Sequence, residues 1–350
     1  MNVLFSVFKA TSIWNQAELI RRCLEAHGIN VVFKRYISLW DIIWKKGDAY
    51  MWFAVLNPTW IVDSAVVYIE AKKETGRAVF YTTIEGIPYR TLAQNTGVKY
   101  VDFVANSKFT ADCLKKAGLK VKCVVHHAID YDLCRKAEEK SGRLRQKLKS
   151  DFKDRVIFLY VGRDDHRKQL DRLMKAVDIL NTKHPHDFVL LCWTELRRPK
   201  LFERPNVKVC GTFGSRPYFD VLMLMASVDY TVFPSVCEGF GLPVLESMAV
   251  GTPVVHCWFP PLSEFSLKYA NITFDYSYEE FWKTTAEQYF WMHMYDPEDL
   301  ADAMARAIDI YLNYPDEYTE MKFMCMGHAG HWDYKDVYKP FVRMLTGGQA

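Results

Sequence analysis

Two carboxylates eight positions apart, Glu238 and Glu246, stand within an unusually ordered segment running from Phe233 to Val255. The order of residue types suggests a strand ending at Phe233. A loop with Gly239 and Gly241 follows, then a helix opening near Leu242 with Pro243 in its first turn. Glycines let backbone N–H groups approach a ligand closely, and a helix N-terminus favours an anion such as phosphate. Glu238 lies in the loop and Glu246 one turn into the helix. Two carboxylates that accept hydrogen bonds from hydroxyls thus flank a phosphate-friendly site. A sugar nucleotide offers hydroxyls on both hexose and ribose.

A second segment, Tyr160 to Leu170, ends a strand in Gly162 and crowds basic residues onto the next helix start. Arg163 and Lys168 can reach one pyrophosphate. Fixed cations there stabilise charge that grows on a departing phosphate, and so act on the transition state more than on the ground state. The bland alternative is a solvated basic helix start. A third glycine loop, Cys210 to Gly214, holds Gly211 and Thr212.

The elements that must position these groups alternate in type. Candidate strands are Val3–Phe8, Val31–Lys34, Tyr50–Leu56, Ala78–Thr83, Val101–Asn106 and Val121–His126, with helical stretches between most of them, clearest at Gln16–His27 and Thr110–Ala117. Tyr131 to Asp154 is polar and strandless. Alternation restarts with Val156–Val161, a helix at Leu170–Leu180, and strands at Phe188–Cys192, Val207–Val209, Tyr230–Phe233 and Pro253–His256. This β-α-β rhythm implies an α/β protein with mostly parallel, doubly wound sheets. The expected division is residues 1–150 and 151–330. Ligands of such sheets bind at the carboxyl ends of strands. His331–Leu345 reads as an amphipathic helix.

The run from Glu238 to Glu246, with its Gly-Phe-Gly-Leu-Pro core, closely resembles the signature of glycosyltransferase family 4. The resemblance implies the GT-B fold, two Rossmann-like domains facing across a cleft, with the tail helix of about 331–350 crossing back onto the first. It implies donor hexose contacts for Glu238, Gly239, Phe240, Gly241 and Leu242, ribose contacts for Glu246, and diphosphate contacts for Arg163 and Lys168 after Gly162. Gly211 and Thr212 then lie beneath the nucleotide base. Val104–Thr110, Gly118 and Val124–Asp130 resemble the end of the first domain, with His127-Ala128 where the family usually has Asn-Gly. The implied activity is retaining transfer of a hexosyl unit from a nucleoside-diphosphate sugar to an acceptor hydroxyl, without metal or cofactor. The acceptor is a saccharide, a lipid-linked sugar or a protein.

The pattern departs from the family in two further places. After the first strand the chain reads Phe8 to Trp14 without glycine. Lys9, Thr11 or Ser12 can supply donors there, or the stretch is a plain strand-to-helix turn with a Ser/Thr cap. After Ala78–Thr83, Glu85 stands at or beside the family's histidine. It can stabilise an oxocarbenium ion, orient the acceptor or take its proton, or it is a loop glutamate. Two rival functions remain. A nicotinamide dehydrogenase needs G-x-G-x-x-G after the first strand, and that is absent. A non-catalytic sugar-nucleotide binder would hold donor without turnover.

Composition bounds the rest. The 350 residues suit about two domains. A net charge of +3 makes no demand for nucleic acid, and nine dispersed cysteines suit buried thiols in a reducing interior. The start reads as a strand rather than a signal peptide, and no apolar run spans a bilayer. A cytoplasmic protein is expected, with peripheral membrane contact open. Asp130-Tyr-Asp132 and His126, His127 with Asp130 are formal metal patterns, weaker than packing roles. Trp40, Trp44, Trp52 and Trp60, with Lys45 and Lys46, are either core aromatics, the simpler reading, or an interfacial patch. The aromatics of 274–295 are core or acceptor wall.

Overall fold

The computed structural model describes residues 1–8, 10–55, 58–285 and 287–348. Lys9, offered above as a donor, lies outside them. The first part of the chain runs β1 (Asn2–Val7), α1 (Thr11–Ala26), β2 (Asn30–Lys34), α2 (Leu39–Ile43), β3 (Ala49–Val55), α3 (Pro58–Thr75), β4 (Ala78–Thr83), β5 (Gly86–Pro88), α4 (Arg90–Ala93), β6 (Asp102–Ala105), α5 (Lys108–Lys116) and β7 (Lys120–Val124). Two polar helices follow, α6 (Tyr131–Lys140) and α7 (Gly142–Asp151). The second alternation is β8 (Val156–Val161), α8 (Leu170–Lys183), β9 (Phe188–Trp193), β10 (Val207–Gly211), α9 (Tyr218–Ser227), β11 (Tyr230–Phe233), α10 (Leu242–Ala249), β12 (Val254–Trp258) and β13 (Ile272–Asp275). It continues with β14 (Tyr278–Lys283), β15 (Gln288–Met294), α11 (Pro297–Asn313), α12 (Pro315–Ala329), α13 (Tyr334–Val337) and α14 (Lys339–Thr346).

Two six-stranded sheets result, in the orders β2-β1-β3-β4-β6-β7 and β10-β9-β8-β11-β12-β13, with every pair parallel. A parallel sheet needs cover on both faces, so its strands are apolar throughout. β3 shows this: Ala49, Tyr50, Met51, Trp52, Phe53 and Ala54 are all buried. Trp52 and Trp60 are core residues, as the simpler reading expected. Trp40 and Trp44 are not; they lie exposed on α2.

The tail differs from the single helix expected. It breaks into a 3-10 turn at Gly330–Trp332, then α13 and α14. Asp333 caps α13 through its own side chain. Pro340 has no N–H to continue the helix into α14, and sits instead in that helix's first turn. Tyr334, Tyr338, Phe341, Met344 and Leu345 pack into the core of the first sheet beside α1.

The aromatic stretch of 274–295 forms a hairpin. β14 and β15 pair antiparallel, and β15 also pairs antiparallel with β5, bringing Tyr289 opposite Ile87. A short third sheet therefore joins the two halves. A Cβ on Gly86 would lie 1.8 Å from the Tyr289 carbonyl, so only glycine fits there.

Candidate functional site

Parallel strands in one sheet end on the same edge. In the second sheet β8 and β11 are neighbours, so the loops after Val161 and Phe233 must meet. They do. Lys168 Nζ donates to Glu238 Oε1 at 2.5 Å, and Ser235 Oγ donates to the same oxygen at 2.6 Å. Arg167 Nη1 lies 3.2 Å from Glu238 Oε2, and Arg167 Nη2 lies 3.0 Å from Glu85 Oε1. Val236 N donates to the Arg167 carbonyl at 3.0 Å, which locks the two loops backbone to backbone. Glu85, Arg167, Glu238 and Lys168 thus form one ion network.

Burial alone would raise the Glu238 carboxyl, but Lys168 and Arg167 outweigh it and hold the group below its usual range. Glu85 goes the other way. Burial pushes its carboxyl up, and nearby Glu238 adds to that against the pull of Arg167. Two carboxylates sharing one guanidinium are therefore driven apart in acidity.

The backbone of Glu85 belongs to the hairpin. Its carbonyl accepts from Trp291 N at 3.1 Å and from Cys237 Sγ at 2.8 Å. Its N–H donates to Gln288 Oε1 at 3.4 Å.

The glycine loop sits between the halves. The Gly239 carbonyl accepts from Asn106 Nδ2 at 3.0 Å and Ser107 Oγ at 3.2 Å. A Cβ there would meet Thr83 Oγ1 at 2.4 Å. Gly241 has φ +98 and caps α10 without a side chain, so no side chain serves the first amides of that helix. Leu242 is the first helical residue. The Phe240 ring is buried, stacked on Phe265 at 4.8 Å and tilted against His127 at 5.3 Å. Only its backbone is free for a ligand.

Glu246 stands apart from the ion network. Its Oε1 accepts from Tyr218 Oη at 2.7 Å, and burial raises its carboxyl to about 7. Arg163 is half exposed, with its Nε 3.8 Å from Glu195. It lines a cavity of about 360 Å³ with Asp165, His166, Arg167, Trp282 and Phe290. Gly162 packs on Tyr160, whose hydroxyl donates to the Arg163 carbonyl at 2.8 Å. Gly211 lies against the Trp193 ring, and Thr212 is exposed in the loop beyond. Among the described residues, neither Gly211 nor Thr212 hydrogen-bonds to the ion network.

Sequence reading left Arg167 without a role, although it is the bridge of the network. Its place in the run His166-Arg167-Lys168 was visible, but its partners come from distant loops. Tyr218 and Ser235 gave no signal. The residues of the formal metal patterns have polar partners within the chain. Asp130 caps α6 and lies 2.6 Å from Arg22. His126 Nε2 is 2.9 Å from Glu264, while His127 Nδ1 is 2.8 Å from Tyr81 Oη. The start of α1 is not a Ser/Thr cap. Its N-cap is Ala10, with no side-chain bond.

Residues 142–271 match the family model described as glycosyl transferases group 1. The uncharacterized glycosyltransferase 335 of Sulfolobus islandicus rod-shaped virus 1 is 33% identical over 278 residues, 76% of this chain and 79% of that protein. The D-inositol 3-phosphate glycosyltransferase of Corynebacterium jeikeium is 32% identical over 130 residues, 34% of this chain and 31% of its own. Two solved structures share the fold along nearly the whole chain. A glycosyltransferase from Rickettsia africae superposes with a TM-score of 0.71 at 14% identity, covering 99% of each chain. Anabaena HepE in complex with UDP and glucose gives 0.67 at 15% identity, covering 99% of this chain and 100% of that one.

Proposed function

The chain belongs to the group 1 glycosyl transferases, and from that premise we propose that it moves a hexosyl unit from a nucleoside-diphosphate sugar to an acceptor hydroxyl with retention of configuration and without metal. It is a glycosyltransferase of GT-B fold. The observation that carries the finer reading is the meeting of Lys168, Arg167 and Glu238 at the carboxyl ends of β8 and β11, beside a helix start with no side-chain cap.

In this reading Glu238 and the Gly239–Leu242 amides orient the hexose, the pattern by which the chain resembles family 4. Glu246 accepts from ribose hydroxyls in place of Tyr218. Lys168 turns from Glu238 to the donor diphosphate, joined by Arg163. Gly162, Gly211 and Thr212 shape the nucleotide side.

The bond from the anomeric carbon to the phosphate oxygen breaks, and its electron pair stays on the phosphate. The acceptor oxygen bonds to the same face of that carbon and gives its proton to the departing phosphate. Cations fixed at that oxygen match the charge as it develops. Glu85, seated on Arg167, orients the acceptor hydroxyl. The acceptor is a saccharide, lipid-linked or protein hydroxyl.

Thermal melting against UDP-, GDP-, ADP- and dTDP-sugars tests donor binding, because a ligand of the folded state raises the melting temperature. NMR of the product then reads the anomeric configuration. Product of inverted configuration, or chelator-sensitive turnover of the purified enzyme, overturns the mechanism.

A further inference from the structure

The segment joining β2 to β3 is apolar on the wrong side. A surface helix normally turns its polar face outward. Here the outward positions are Tyr36, Leu39, Trp40, Ile43 and Trp44, at helical spacing, with 57, 41, 60, 62 and 63% of their surfaces exposed. The inward positions include Asp41, whose buried carboxylate is held by Lys34 Nζ at 2.5 Å and by Ser38 N and Oγ at 2.9 Å. Ile37 and Ile42 supply the inward packing. Each of the five outward side chains leaves 41% or more of its surface in water, which is apolar area that folding does not bury. Contiguous exposed apolar surface of this kind marks an interaction site.

The composition names the occupant. Trp40 and Trp44 are neighbours, with ring centroids 5.4 Å apart. Tryptophan and tyrosine are the residues that settle at the boundary between lipid headgroups and acyl chains. Exposed Arg35, Lys45 and Lys46 surround them, with Arg35 over the Tyr36 ring and Lys46 over Trp44. Asp41, the acidic residue of the helix, faces inward. The patch therefore shows water an apolar centre and a cationic rim, which complements an anionic membrane surface. No helix among the described residues is long and apolar enough to cross a membrane, so contact of this kind is interfacial.

We propose that the α2 face, Tyr36, Leu39, Trp40, Ile43 and Trp44 with their basic rim, docks the enzyme on the surface of an anionic lipid bilayer. The test is sedimentation of the full chain with vesicles of phosphatidylcholine alone, and with phosphatidylglycerol mixed in. The parent pellets with the anionic vesicles. The double variant Trp40→Ala/Trp44→Ala loses affinity by roughly tenfold or more, and Lys45→Glu by roughly fivefold. Lys168→Ala pellets like the parent, which separates docking from the transfer reaction. A parent that ignores anionic vesicles overturns the proposal, as does a double variant that binds them undiminished. A parent dimer that the double variant converts to monomer, with no vesicle binding by either, also overturns it and assigns the face to a second copy. If the double variant melts early, Ile43→Ser and Lys45→Glu, each alone, decide by the same readout.

Discussion

The two six-stranded sheets share an architecture and differ in where they put charge. In the second sheet the direction of strand order reverses between β8 and β11, and the loops after those strands hold Lys168 and Glu238. In the first sheet the reversal falls between β1 and β3, and the described residues there form no ion cluster. Its charged contribution comes from two strands over, at Glu85 after β4. The lesson is that one crevice can gather an ion network while its twin, also in a six-stranded parallel sheet, does not. The twin lends a single carboxylate through a loop that the other half holds.

That contrast can be broken by mutation. Lys168→Ala, in the charged crevice, should lower kcat by about 100-fold or more with little change in donor KM, since it removes a cation matched to the transition state. Steady-state kinetics with the donor found by melting decides this. An equal loss from changes around β1 would undo the asymmetry.

Gly86→Ala attacks the loan of Glu85. The new methyl meets the Tyr289 backbone, so β5 must part from β15. We expect about 2–3 kcal/mol of lost stability and roughly tenfold lower kcat, read by denaturant unfolding and by kinetics. Normal stability with normal kcat would show that the third sheet positions nothing.

Glu246 offers a subtler probe. Its carboxyl titrates near 7 when folded, against an ordinary value of 4.5. The folded state therefore holds a proton that the unfolded state has already released. Stability from this group is full below about pH 4.5 and falls as pH rises to about 7. Glu246→Gln should flatten that part of the stability profile, and urea unfolding at pH 5 and 7.5 measures it. An unchanged slope would remove Glu246 as its source. Smallest of all, Tyr218→Phe should lower donor KM roughly threefold, since it removes the hydroxyl that the ribose has to displace from Glu246, and leave kcat alone.

The sequence showed the second sheet more fully than it showed the join. β8, β11 and the loop before α10 were legible because apolar runs, glycines and a proline follow one another at short range. Glu238 and Lys168 could be paired because adjacent strands end together. Arg167 could not be given its role, since Glu85 and Glu238 reach it from 82 and 71 positions away. The hairpin was hidden for another reason. β14 and β15 are aromatic on both faces, which blurs the alternation that marks a half-exposed strand. β5 has three residues, one of them proline, too few to show any period. Trp40 and Trp44 misled because tryptophan types look alike in sequence whether they face a core or water.

The backbone bonds of β5 fix more than a position. Tyr89 N donates to the Glu287 carbonyl at 2.9 Å, and Trp291 N to the Glu85 carbonyl. A separation of the halves that leaves these bonds whole has to bend the chain between Thr83 and Gly86. Glu85 then stays seated on Arg167 while the strand that precedes it swings away. The acidic partner of the guanidinium would be present before the substrate arrives and after the product leaves, with no reassembly at each turnover.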